Sequence, residues 1–165
     1  MNQQAGPNPY LRTKIMTASP EELRLLLYDG AIKFCHQAKQ AIEAKQYEES
    51  YNALSRAQKI VLELSTSLNH SIEPEVTEKM ASLYNFIYRQ LVEANMSRET
   101  GIIDEVVKLI QYERETWQML MKKVHEKQAA DPNYQPPAAA GGTAATYKQM
   151  TGAQQTAISS YSQSA

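Results

Sequence analysis

The chain has 165 residues, 42% of them hydrophobic, and 17 basic against 18 acidic side chains leave a formal net charge of -1. That length fits one domain with its own core, and the charge balance excludes binding driven by bulk charge to nucleic acid or to an anionic membrane surface. The single cysteine, Cys35, rules out an internal disulfide; no apolar run nears the roughly 20 residues of a spanning helix, and an N-terminus with neither a basic n-region nor an apolar h-region reads as cytoplasmic, without membrane insertion.

Residues 1–18 carry Pro7 and Pro9, then Tyr10, Leu11, Ile15 and Met16 among polar residues without a helical period, which predicts an extended N-terminal arm. Ser19-Pro20-Glu21-Glu22 follows. A hydroxyl cap, a proline where no donor is needed and a glutamate able to reach back to the cap together mark a helix start. From there Leu23, Leu26, Leu27, Phe34, Ala38 and Ala41 form a core stripe on a helix expected to end near Lys45.

A second helix is predicted from Tyr47 to Leu68 on the stripe Tyr47, Leu54, Ala57, Val61, Leu64 and Leu68. After the polar connector Asn69-His70-Ser71, Pro74 opens a third, striped by Val76, Met80, Leu83, Ile87, Leu91 and Ala94. Beyond a polar break at residues 97–101, Ile102, Val106, Ile110, Trp117, Leu120, Met121 and Val124 mark a fourth, ending near Gln128. Glu113 falls inside that stripe, where a closed apolar core disfavours a carboxylate unless it reaches a partner or solvent.

Residues 129–165 turn to Ala, Gly, Pro, Gln, Ser and Thr with only Asp131 and Lys148 charged, too little apolar surface to offset ordering entropy. The expected architecture is therefore all-α: an arm over 1–18, an antiparallel up-down four-helix bundle over 19–128 and a disordered tail over 129–165. A short helix within residues 143–158, folding on a client or on the bundle's own groove, stays open as an alternative.

Two helices carry more apolar surface than one core arc needs. On the first, Leu25, Tyr28, Ile32 and Cys35 form another stripe; on the third, Tyr84, Tyr88 and Val92 repeat beside the core stripe and end near Asn95. A wide arc can mark a helix with neighbours on two sides, but two such stripes in a small domain point to a groove for amphipathic helices. Tyr10, Leu11 and Ile15 of the arm would then cover apolar surface while the groove is empty.

Chemistry finds little footing. His36, His70 and His125 stand far apart and none completes the Glu-x-x-His pattern of a di-metal bundle. Cys35 and His36 are adjacent on a helix and point about 100° apart, so they make no nucleophile and base pair. His36 with Lys39 one turn on is similar to a phosphotransfer histidine, but Gln40 stands where glycine follows that lysine. No basic cluster tracks a nucleic-acid backbone, and neither a catalytic group nor a cofactor is expected.

Across residues 8–127 the chain resembles the flagellar secretion chaperones of the FliS type. Three ordered segments carry the resemblance: Tyr10 with Thr17-Ala18-Ser19-Pro20-Glu21-Glu22-Leu23 and Leu27-Tyr28-Asp29-Gly30; Leu83-Tyr84 through Tyr88-Arg89 to Leu91; and Ala94-Asn95 with Glu105-Val106 and Trp117. The resemblance implies a bundle that binds the disordered C-terminal segment of flagellin along apolar grooves, prevents its polymerisation in the cytoplasm and passes it to the flagellar export apparatus, with further flagellar regulators as competing partners. It implies an N-terminal tyrosine region that caps a groove when empty, here Tyr10 and Ile15. The partner-binding set expected is Tyr10, Ile15, Leu25, Tyr28, Ile32, Tyr84, Tyr88, Val92 and Asn95.

Overall fold

A computed structural model describes residues 9–71 and 74–134, and their regular structure is all helical. Five helices follow in order: α1 (Pro9–Thr17), α2 (Pro20–Glu43), α3 (Tyr47–Thr66), α4 (Pro74–Ser97) and α5 (Thr100–Ala130). Residues 1–8 and 135–165 lie outside the described set, so the expected disorder of the tail concerns residues not described here; Ala129 and Ala130 complete α5.

The arm is not extended over Pro9–Thr17. Pro9 occupies a first-turn position, where its missing N–H costs nothing, and nothing in residues 10–17 breaks a helix. The hydroxyls of Thr13 and Thr17 donate back to the carbonyls of Pro9 and Thr13 at 3.0 and 2.9 Å. None of its residues is buried, although Ile15 packs against the edge of the core.

The start of α2 is the reciprocal cap its sequence predicts: the Ser19 hydroxyl accepts from the Glu22 N–H at 3.2 Å, and the Ser19 N–H donates to the Glu22 carboxylate at 2.8 Å. Its end is a Schellman turn. Lys45 takes φ 59°, the Gln46 N–H bonds the Ala41 carbonyl at 2.8 Å and the Lys45 N–H bonds the Ile42 carbonyl at 2.9 Å. A second left-handed residue, Arg98 at φ 60°, turns α4 into α5, and its guanidinium lies 4.0 Å over the Tyr47 ring.

Helices α2, α3, α4 and α5 form a ring in which each packs on the next and α5 closes on α2. The antiparallel run of α5 along α2 is pinned at three levels. Trp117 Nε1 donates to the Glu21 carbonyl, Arg114 pairs with Asp29, and Lys39 pairs with Asp104, so α5 numbers fall as α2 numbers rise. Ala31, Ala38, Ala57 and Ala94 let the helices approach closely around Phe34, Leu54, Ile87, Leu91, Ile103 and Val106, all buried.

Three residues expected in the core stripes are exposed instead: Tyr47, Val76 and Leu120. Tyr47 opens α3 and lies under Arg98. Val76 stands in the first turn of α4. Leu120 points about 100° away from the buried Met121 on α5, outside the core arc.

Candidate partner interface

The second stripe on α2 divides in two. Tyr28 and Cys35 are buried in the core, whereas Leu25 and Ile32 are half-buried on the flank toward α5. Ile32 lines a shallow groove there with Asp29, Gln111, Arg114 and Glu115, crossed by the Arg114–Asp29 ion pair. For α2 the wide apolar arc thus reflects neighbours on two sides, α3 and α5.

The tyrosine row on α4 divides as well. Tyr84 is 1% exposed, like Tyr28, and their hydroxyl oxygens are 2.6 Å apart. Arg24, 3% exposed, donates from its guanidinium to Tyr84 at 3.0 Å and to Tyr28 at 3.3 Å, and its charge also faces the Trp117 ring at 5.0 Å. Tyr28 and Tyr84 therefore do not stand on an open face. Their rings complete the core, and a buried cation satisfies their hydroxyls.

Among the described residues no carboxylate pairs with Arg24. Burial works against its charge, but the phenol oxygens of Tyr84 and Tyr28 outweigh this and hold its pKa above the usual arginine value. Burial pushes the Tyr84 hydroxyl pKa up, with Arg24 pulling against it, so the phenol stays neutral. The half-buried Glu113 belongs to the same neighbourhood: burial raises its carboxyl pKa and the charge of Arg24 opposes the rise. A carboxylate in the apolar stripe thus lies within electrostatic reach of the buried cation.

The open apolar surface is between α3 and α4. Tyr88, 37% exposed, lines a groove with Tyr51, Asn52, Ser55, Gln58, Lys59 and Leu62 of α3. Val92 continues the row one turn along α4, where Asn95 is half-buried and Met96 exposed. Tyr51 and Leu62 were not singled out in the sequence. The available signal is their spacing with Ser55 and Gln58, which puts all four on one face of α3 at about 100° per residue, off its core stripe.

The expected set therefore falls in four places. Tyr88 joins Tyr51 and Leu62 at the α3/α4 groove, with Val92 exposed one turn further along α4 and Asn95 half-buried beyond it; Leu25 and Ile32 stand across the ring beside α5; Tyr28 and Tyr84 are internal; Tyr10, exposed, and Ile15 ride on α1.

Burial pushes the Cys35 thiol up to about 12, so it stays protonated and unreactive. His36 is exposed, and the lysine one turn on, Lys39, donates to both oxygens of Asp104 at 2.7 and 2.8 Å. Among the described residues there is no group of three potential metal ligands, and no helix is long and apolar enough to cross a membrane.

A family model described as "Flagellar protein FliS" matches residues 1–124. The flagellar secretion chaperone FliS of Bacillus subtilis is 37% identical over 118 residues, covering 70% of this chain and 87% of that protein. That of Campylobacter jejuni is 27% identical over 128 residues, covering 78% and 97%. A crystal structure of a bacterial flagellar chaperone superposes with a TM-score of 0.61 at 21% identity, over 70% of this chain and 94% of that one, and so shares the fold. The chain belongs to the FliS family of flagellar proteins.

Proposed function

We propose that this protein is an export chaperone that takes the disordered C-terminal segment of flagellin onto the α3/α4 groove, keeps it from polymerising in the cytoplasm and supports its delivery to the flagellar export apparatus. The observation that carries this reading is the set of exposed apolar and amphipathic side chains there, Tyr51 and Leu62 on one wall and Tyr88 on the other, with Val92 exposed one turn further along α4. A client that orders as it binds loses chain entropy, so it needs a long apolar contact rather than one deep pocket. The groove runs along α3 from Tyr51 to Leu62, about 17 Å, enough for three turns of a bound helix.

The half-buried pair Leu25 and Ile32 offers a second contact for a client long enough to wrap the bundle. Tyr10 and Ile15 on α1, a helix with no buried residue of its own, suit a displaceable cap. Relatives that bear the name flagellar secretion chaperone support the export role.

A polymerisation assay tests the reading. Seeded flagellin is expected to stop elongating at an equimolar ratio of this protein and to elongate normally with the Tyr88→Asp, Leu62→Asp double variant. Unimpeded elongation with the unmodified protein overturns it.

A further inference from the structure

The flank of the ring where α4 meets α5 is apolar at its centre and oppositely charged at its two ends. Tyr88 faces α3, so the side of α4 about 160° round the helix lies beside α5. Lys79, Phe86 and Glu93 follow one another there at seven-residue steps, all exposed, with Leu83 and Gln90 half-buried just inside them. Phe86 keeps 43% of its surface open.

The second wall repeats this arrangement. On α5, Asp104, Gln111 and Arg114 mark the side toward α2. At about 100° per residue, Glu105, Leu109, Leu120 and Lys123 share the other side, toward α4, and Tyr112 borders them. Leu109 is half-buried, and Glu105, Tyr112, Leu120 and Lys123 are exposed.

A two-residue turn joins Ser97 to Thr100, so the two helices run antiparallel and their charges match in level. Glu93 and Glu105 stand together near that turn, Phe86 and Tyr112 together about 10 Å further along, and Lys79 and Lys123 beyond them. Glu105 is paired with Lys108 at 2.7 Å, but among the described residues Lys79, Glu93 and Lys123 enter no ion pair. A face with cations at one end, carboxylates at the other and aromatic rings between them is complementary to itself turned end over end. A two-fold axis across the bundle at the level of Phe86 sets this ring on its equivalent and Lys79 opposite the second copy's Glu93. The same axis carries Glu105 to the end of the flank where Lys123 stands.

We propose that the α4/α5 flank pairs two copies of this chain, antiparallel, α4 on α4 and α5 on α5. The face is about 21 Å long from Lys79 to Glu93 and two helices, roughly 20 Å, wide. That is small for an interface, so the dimer is weak and forms and parts with concentration. The α3/α4 groove lies on the other side of α4, and each copy keeps its own groove open.

Sedimentation equilibrium of the full chain over a concentration series tests the pairing. A reversible monomer–dimer equilibrium that weakens with salt is expected. Phe86→Asp is expected to abolish it, and Tyr88→Asp with Leu62→Asp, on the groove, to leave it unchanged. Lys79→Glu or Glu93→Lys alone sets like charges facing each other twice and is expected to weaken the dimer about tenfold. Lys79→Glu with Glu93→Lys restores opposite charges, so the double variant is expected to dimerise within about threefold of the unmodified protein, which a fault in folding would not allow. A monomer at every concentration, which leaves the flank to another protein, overturns the proposal. So does a dimer indifferent to Phe86→Asp, or a double variant no better than either single one.

Discussion

Tyr84 and Tyr88 stand one turn apart on α4, yet one is closed into the bundle beside Arg24 and Tyr28 while the other lines the open groove with Tyr51 and Leu62. The two regions use the same residue type for different ends. Inside, the hydroxyl is the useful part, because a buried cation without a carboxylate needs acceptors and the phenol needs a donor. Outside, the ring is the exposed part, a flat apolar face whose hydroxyl rim tolerates water. The inner tyrosines tie α2 to α4, and Arg24 beside them faces Trp117 of α5; the outer one faces the groove.

Substitution should separate the two regions most sharply. Tyr84→Ala is expected to cost about 4 kcal/mol by urea denaturation, and Tyr84→Phe about 2 kcal/mol through the orphaned Arg24 and Tyr28 groups. Tyr88→Ala is expected to cost about 1 kcal/mol or less. Equal losses at the two positions would erase the distinction.

Tyr88→Asp with Leu62→Asp should do the converse: helicity and denaturation midpoint near those of the unmodified protein, and affinity for the flagellin segment down at least tenfold, about 1.4 kcal/mol. Retained affinity in a folded double variant would move the binding face elsewhere.

Lys45 and Glu113 give smaller effects. Lys45→Gly is expected to stabilise by about 1 kcal/mol, since the left-handed conformation at the end of α2 disfavours a side chain. Loss of stability there would show that Lys45 makes a compensating contact.

At Glu113, burial raises the folded-state pKa above the unfolded one, so the folded protein binds the proton more tightly. Stability then falls as pH rises from the ordinary carboxylate value through the raised one. Glu113→Gln is expected to match the unmodified protein below that window and exceed it above. The opposite sign would mean that attraction to Arg24 outweighs burial.

The four-helix frame was legible because its signals are local: the Ser19 to Glu22 capping box, Pro20 and Pro74 in first turns, and stripes such as Leu54, Ala57, Val61 and Leu64. The helix at Pro9–Thr17 was not, because it buries no residue and so leaves no apolar period to read. The site was half legible. Tyr88 and Val92 are exposed, whereas Tyr28 and Tyr84 share their apolar spacing and are buried, because apolar spacing does not tell a core from an open face. Arg24 held the missing clue: one turn before Tyr28 and on the same face, it puts a cation where two hydroxyls could meet it. Tyr51 and Leu62 escaped notice because polar Ser55 and Gln58 separate them, and only the packing of α3 on α4 gives that face an opposing wall.

The most direct measurement of the central claim is isothermal titration of the full chain with the C-terminal segment of flagellin, with circular dichroism before and after mixing. Tight binding with more helix than the sum of the two components, lost in the Tyr88→Asp, Leu62→Asp variant, is the predicted result. No heat and no gain of helix, or a gain indifferent to both substitutions, would contradict it.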